Sequence, residues 1–153
     1  MIYKNIKDFL NLTKNNTRLA GLDVGTKTIG IAISDKDRNF STPKTTIRRK
    51  GNKKDIPILL KFLEENKIGG IVIGLPLTKD DKETECSLFI RRFTDNLSSS
   101  TELPIIFFDE RLSSFMAENF MIDMMGVKCK KTKEVVDQTA ASFILQNFLD
   151  KII

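Results

Sequence analysis

The stretch Leu19 to Ser34, LAGLDVGTKTIGIAIS, constrains the chain more than any other. Two apolar, β-branched runs flank a Gly-Thr-Lys-Thr turn, the pattern of a tight β-hairpin. Asp23 interrupts the first run just before Gly25. A carboxylate inside a strand that feeds a core is unfavourable unless something charged meets it. Gly30, in the second strand, lets another group approach the backbone closely. The alternative is a surface hairpin in which Asp23 serves as an ordinary turn residue.

What can meet that carboxylate is narrowed by what the chain lacks. Its 153 residues contain no histidine, which excludes a Ser-His-Asp triad, a Cys-His pair, a histidine general base and a histidine metal site. Cys86 and Cys129 are far apart and form no Cys-x-x-Cys, so they suggest neither zinc nor a disulfide framework but reduced thiols, as in a cytoplasmic protein. Catalysis, if present, rests on carboxylates, lysines, arginines, hydroxyls or an oxygen-held metal. The formal charge of +5 is compatible with a polyanionic partner.

The remaining chain reads as alternating strands and helices. Residues 1–16 suit a short amphipathic helix at the start, with Ile2, Ile6, Phe9, Leu10 and Leu12 apolar, and form an extension to a single domain over residues 17–153. No run has the continuous apolar core of a signal peptide or a membrane span. A third strand is expected around Phe40 to Ile47. A helix capped by Asp55 follows, with Ile56, Leu59, Leu60 and Leu63 on one stripe. Ile71 to Gly74 reads as a buried strand, Glu85 to Leu97 as a helix, and Ile105 to Phe108 as a further strand. Ser113 or Ser114 caps a helix running to about Met125, and a last helix spans roughly Lys133 to Lys151. This order predicts an α/β domain with a mixed central sheet and helices on both faces.

Acidic residues then fall at the ends of three elements. Asp23 and the Asp109-Glu110 pair stand at strand ends, where sites in α/β folds gather, and Asp137 lies in the first turn of the last helix. Ala140 and Ala141 share its face and permit close packing on the sheet. Clustered carboxylates repel unless a cation joins them. Oxygen-only ligands suit Mg²⁺ or Mn²⁺, and two such ions ~4 Å apart form a clamp for phosphodiester hydrolysis. Arg48, Arg49, Lys50, Lys53 and Lys54 form one basic cluster, and Lys128, Lys130, Lys131 and Lys133 a second. Each is either a solvated loop or a contact to a phosphate backbone.

Four segments in register, GLDVGTKTIGIAISD (Gly21 to Asp35), IVIGLPL (Ile71 to Leu77), DERLSS (Asp109 to Ser114) and VVDQTAASFILQNFL (Val135 to Leu149), resemble the motifs of the YqgF/RuvX family. The resemblance implies an RNase H-like fold and a cytoplasmic nuclease of ribosome biogenesis that processes the 5′ end of pre-16S rRNA. It also implies kinship with Holliday-junction resolvases acting on branched DNA. Carried over, the catalytic and metal-binding acids are Asp23, Glu110 and Asp137, with Asp109 as the alternate to Glu110. Nucleic-acid contacts are expected from Lys27, Arg48, Arg49, Lys53, Arg111, Lys128, Lys130 and Lys131.

The sequence departs from the family after Gly-Leu-Pro-Leu, where Thr78-Lys79-Asp80-Asp81 replaces the usual Asn-x-Asp-Gly. The hairpin also resembles the phosphate loop of actin-like ATPases, but those need two such domains and 153 residues supply one. A nucleic-acid-binding module without catalysis is the third alternative. A monomer or a homodimer fits the sequence equally, although a junction resolvase should be dimeric.

Overall fold

A computed structural model of the chain describes residues 1–76, 84–109 and 132–152, with side chains from residue 137 onward in the last of these. Among the described residues ten elements follow one another: β1 (Ile2–Tyr3), α1 (Ile6–Leu12), β2 (Arg18–Val24), β3 (Thr28–Ser34), β4 (Ser41–Arg48), α2 (Asn52–Glu65), β5 (Ile68–Leu75), α3 (Glu85–Ser100), β6 (Ile105–Asp109) and α4 (Thr132–Ile152). The helix expected after Ser113, the second basic cluster up to Lys131, and the loop at Thr78 to Asp81 lie outside the described residues.

The strands form one sheet in the order β1-β6-β5-β2-β3-β4. β2, β3 and β4 make an antiparallel meander, whereas β5 runs parallel to β2, β6 to β5 and β1 to β6. Hairpin loops suffice for the first set, and the crossover between β2 and β5 includes α2. The sheet is therefore mixed, as its sequence pattern predicts.

Strand parity divides the core in two. Ala20, Leu22, Ile29, Ile31, Ile71, Ile73 and Ile105 face α2 and α3, meeting Leu59, Leu63, Ile90 and Phe93. Leu19, Ala32, Val72 and Ile106 face the other way, onto Phe9 of α1 and Ala141, Ile144, Leu145 and Phe148 of α4. β5 is buried along its whole length, which accounts for its unbroken apolar run.

The amino-terminal segment is built into this sheet. The Ile105 N–H donates to the Met1 carbonyl at 3.0 Å, and Ile2 and Tyr3 pair with Ile105 and Ile106. The Phe9 ring meets Phe148 edge-on, with centroids 5.7 Å apart. A two-residue strand shows no alternation to read, and β1 was accordingly not expected from the sequence.

The expected cap of α2 is corrected. Gly51 holds the N-cap position at φ 125°, a conformation suited to glycine, and makes no side-chain cap. Asp55 lies fully buried inside the first turn and accepts the N–H groups of Lys50 and Gly51 at 3.0 and 3.1 Å. It is drawn there by Arg49, whose Nε is 3.2 Å from its carboxylate.

Candidate active site

The hairpin turn between β2 and β3 is closed by the Gly25 N–H donating to the Thr28 carbonyl at 2.8 Å. Asp23, half-buried, lies just before this turn, directly across the ladder from Gly30. Cross-strand partners point to the same face of a sheet. Gly21 and Gly30 both lie under α4, where an added Cβ would collide with that helix. Asp23 therefore belongs to the face that α4 covers.

α4 reaches that same place with Asp137. A Cβ built on Gly30 would overlap the Asp137 carbonyl group, so the missing side chain is what lets the helix descend this far. Ala140 and Ala141, fully buried one turn later, keep the approach close. The Thr28 hydroxyl donates to the Asp137 Oδ2, fixing that carboxylate over the start of β3. Thr28 was missed by the sequence reading. Its signal was parity, since Thr28, Gly30 and Ala32 alternate on one face.

Asp109 ends β6 exposed and in register with Leu75. Leu75 and Phe107 belong to the core under α2 and α3, whereas Phe108 packs against the core under α4. Parity thus sets Asp109 on the face opposite Asp23 and Asp137. Glu110 and Arg111 lie outside the described residues. Among the described residues no three acidic or thiol side chains gather into a metal site.

The donors that Asp23 and Asp137 bring to one face are carboxylate oxygens, with no histidine in the chain to add to them. Cys86 lies on α3, the helix that covers the other face. Such a donor set fits a hard divalent cation such as Mg²⁺ or Mn²⁺.

The basic residues separate into two kinds. Lys27 and Arg48 are exposed at the turn, Arg48 standing in register with Thr28, and Lys53 is exposed in the first turn of α2. Arg49, expected to meet phosphate, is enclosed instead, with its side chain 7% exposed. Its guanidinium is occupied by Asp55, Asn52 and the Gly25 carbonyl, and it lies over the rings of Phe89 and Phe93. That position leaves it no face for a nucleic acid, and the expectation is corrected. Lys128, Lys130 and Lys131 lie outside the described residues. No helix among the described residues is long and apolar enough to cross a membrane.

Comparison with known proteins extends this geometry. Relatives named "Putative pre-16S rRNA nuclease" include one from Rhodobacter capsulatus, 43% identical over 99% of this chain and 95% of its own length. Another, from Rhizobium meliloti, is 46% identical over 88% of this chain and 81% of its own length. Among solved structures, the Fowlpox virus resolvase bound to Holliday junction DNA matches with a TM-score of 0.56 at 10% identity, covering 90% of this chain and 99% of that one. Thermus thermophilus RuvC with a junction substrate matches with a TM-score of 0.54, also at 10% identity, covering 89% and 96%. Likeness at that identity concerns the fold, which is RNase H-like. The family model described as "RuvX: Holliday junction resolvase" matches residues 17–151. With the family model spanning most of the chain and relatives this similar along nearly all of it, this chain belongs to the RuvX family.

Proposed function

We propose that this chain is a metal-dependent nuclease that hydrolyses phosphodiester bonds and processes the 5′ end of pre-16S rRNA. The observation that supports this reading is that Asp23 and Asp137 lie on one face of the sheet, each beside Gly30. The names of relatives more than 40% identical support the rRNA substrate. Asp23, Glu110 and Asp137 are the proposed ligands of one or two Mg²⁺ or Mn²⁺ ions. Strand parity disfavours Asp109 in that role, which leaves Glu110 as the third acid. When bound, such ions supply Lewis acidity that activates water and stabilises the leaving oxygen. The chain itself orients the acids: the Thr28 hydroxyl holds Asp137, and the β2–β3 ladder holds Asp23. Lys27, Arg48 and Lys53 draw the phosphate backbone to this edge, and a cytoplasmic location follows from the substrate.

The family description favours a second reading, cleavage of a four-way DNA junction, for which two symmetric cuts call for a dimer. The two are separated by incubating the protein with a pre-16S 5′ fragment and with a junction, in Mg²⁺, Mn²⁺ or EDTA, with its mass in solution measured. Cleavage of the rRNA fragment that needs the metal is expected. Asp23→Asn, Glu110→Gln and Asp137→Asn should each lower it at least ~100-fold while binding persists. Full activity in EDTA, or in Asp137→Asn, would overturn the nuclease site. Symmetric junction cleavage by a dimer, with the rRNA fragment left intact, would select the second reading.

A further inference from the structure

Arg49 makes two kinds of contact with the hairpin turn that separates Asp23 from Thr28. Its backbone N–H donates to the Lys27 carbonyl at 2.9 Å, and its Nη1 donates to the Gly25 carbonyl at 3.2 Å. The rest of the guanidinium is fixed from behind. Nε donates to Asp55 at 3.2 Å, Nη2 donates to the Asn52 Oδ1, and the group lies 5.0 and 5.3 Å from the Phe93 and Phe89 ring centroids. The turn is thereby tied to α2 and α3, the two helices on the far side of the sheet from α4.

Fold stability alone is a weak reason for such a group. A buried ion pair loses the hydration of both partners, and apolar residues of similar volume often serve as well. What an apolar residue lacks is the rigid fork of donors that aims a hydrogen bond at one carbonyl. That carbonyl belongs to Gly25, two positions after Asp23. The far end of the same turn is Thr28, which holds Asp137. One buried cation therefore fixes the turn from which both acids take their places.

We propose that Arg49 is a positioning residue of the nuclease site, setting Asp23 and Asp137 through the Gly25–Thr28 turn and touching no nucleic acid. This inference rests on the nuclease reading. Three variants test it: Arg49→Lys, Arg49→Met, and the double variant Arg49→Met with Asp55→Asn. For each, Mn²⁺ affinity of the free protein, kcat and KM on the cleaved substrate, the salt dependence of binding in EDTA, and denaturant unfolding are measured.

Arg49→Met should weaken Mn²⁺ binding and lower kcat ~100-fold, leaving KM and the salt slope unchanged. Arg49→Lys keeps the charge but not the fork, and should fall between. The double variant leaves no unpaired buried charge, so it should recover stability relative to Arg49→Met without recovering kcat or Mn²⁺ affinity. Recovery of kcat together with stability would reduce Arg49 to a fold element and overturn the proposal. So would a raised KM with a flattened salt slope and unchanged kcat, the signature of a phosphate contact. If the wild type cleaves no nucleic acid, the nuclease reading falls separately. Mn²⁺ affinity then still decides the grip, and an unchanged value in Arg49→Met would overturn it.

Discussion

The Thr28 hydroxyl donates to the Asp137 carboxylate, joining the first residue of β3 to the first turns of the last helix. Thr28 is buried, so its hydroxyl has little water to turn to instead. Thr28→Val removes the donor while keeping the branched shape. It should lower stability by about 1–2 kcal/mol, because a charged acceptor loses a partner at a half-buried site. With that donor to Asp137 gone, kcat should fall at least ~10-fold, and Thr28→Ser should recover most of it. Unfolding and cleavage measured on the three proteins check this. Full activity in Thr28→Val would show that the helix alone places Asp137.

Gly30 and Gly21 offer a paired experiment on how α4 seats. A Cβ at Gly30 would overlap the Asp137 carbonyl group, whereas a Cβ at Gly21 would come within 2.7 Å of the Leu145 Cβ and 2.9 Å of the Ala141 carbonyl. Both alanine variants should lower stability by about 1–3 kcal/mol, since backbone must shift to admit the methyl group. Only Gly30→Ala displaces Asp137 directly. At a temperature where both remain folded, Mn²⁺ affinity should drop in Gly30→Ala and stay near wild type in Gly21→Ala. Equal losses would mean that the helix moves as one body.

Much of this arrangement was legible in the chain, because local pattern carried it. The β2–β3 hairpin announces itself by β-branched runs around Gly-Thr-Lys-Thr, and the mixed sheet follows from the order of the elements. That Asp23 and Asp137 share one face of the sheet is readable because an acid in an apolar run and an acid above two alanines both need an explanation. The basic cluster was harder. Arg48, Arg49 and Lys53 look equivalent in sequence, and it is the contacts of Arg49 with Asp55, Asn52, the Gly25 carbonyl and the Phe89 and Phe93 rings that distinguish it from its exposed neighbours. Asp55 looked like a helix cap for a related reason: its partner comes from the end of β4, and no local pattern reports that pairing. The choice within Asp109-Glu110 turns on the register of β5 with β6, a contact between segments distant in the chain.

Asp35 predicts an acid-sensitive corner away from the site. Its carboxylate accepts the N–H groups of Phe40 at 2.9 Å and Asn39 at 2.8 Å, closing the β3–β4 connection. The Phe40 bond holds its pKa below the ordinary aspartate value; desolvation opposes that shift, and the Asn39 bond adds to it. A group depressed on folding contributes stability that is fully present above its unfolded pKa of about 3.9 and is lost as pH falls through the folded value. Asp35→Asn should therefore be less stable than wild type at pH 7, with the gap closing as pH falls below about 4. Urea unfolding at pH 7, 5 and 3 measures the gap. A difference that stays constant across that range would assign the effect to the lost geometry rather than to the charge.

The exposed cations Lys27, Arg48 and Lys53 bear on how the chain meets a polyanion. Arg48 stands in register with Thr28, on the face where Asp137 lies, while Lys27 occupies the turn itself and Lys53 the first turn of α2. A side chain that neutralises one phosphate releases condensed counterions, so log K for binding falls with log salt by about 0.7 per contact on single strands and 0.9 on duplex. Lys27→Ala, Arg48→Ala and Lys53→Ala should each weaken binding at low salt and flatten that slope by roughly one contact. The weakening should be similar for all sequences tested, because phosphate contacts position a nucleic acid without reading its bases. Asp23→Asn serves as the control: removing a negative charge from the same edge should leave the slope intact and strengthen binding slightly in EDTA. Slopes unchanged in all three alanine variants would return these residues to solvated charge and move the nucleic-acid path elsewhere on the protein.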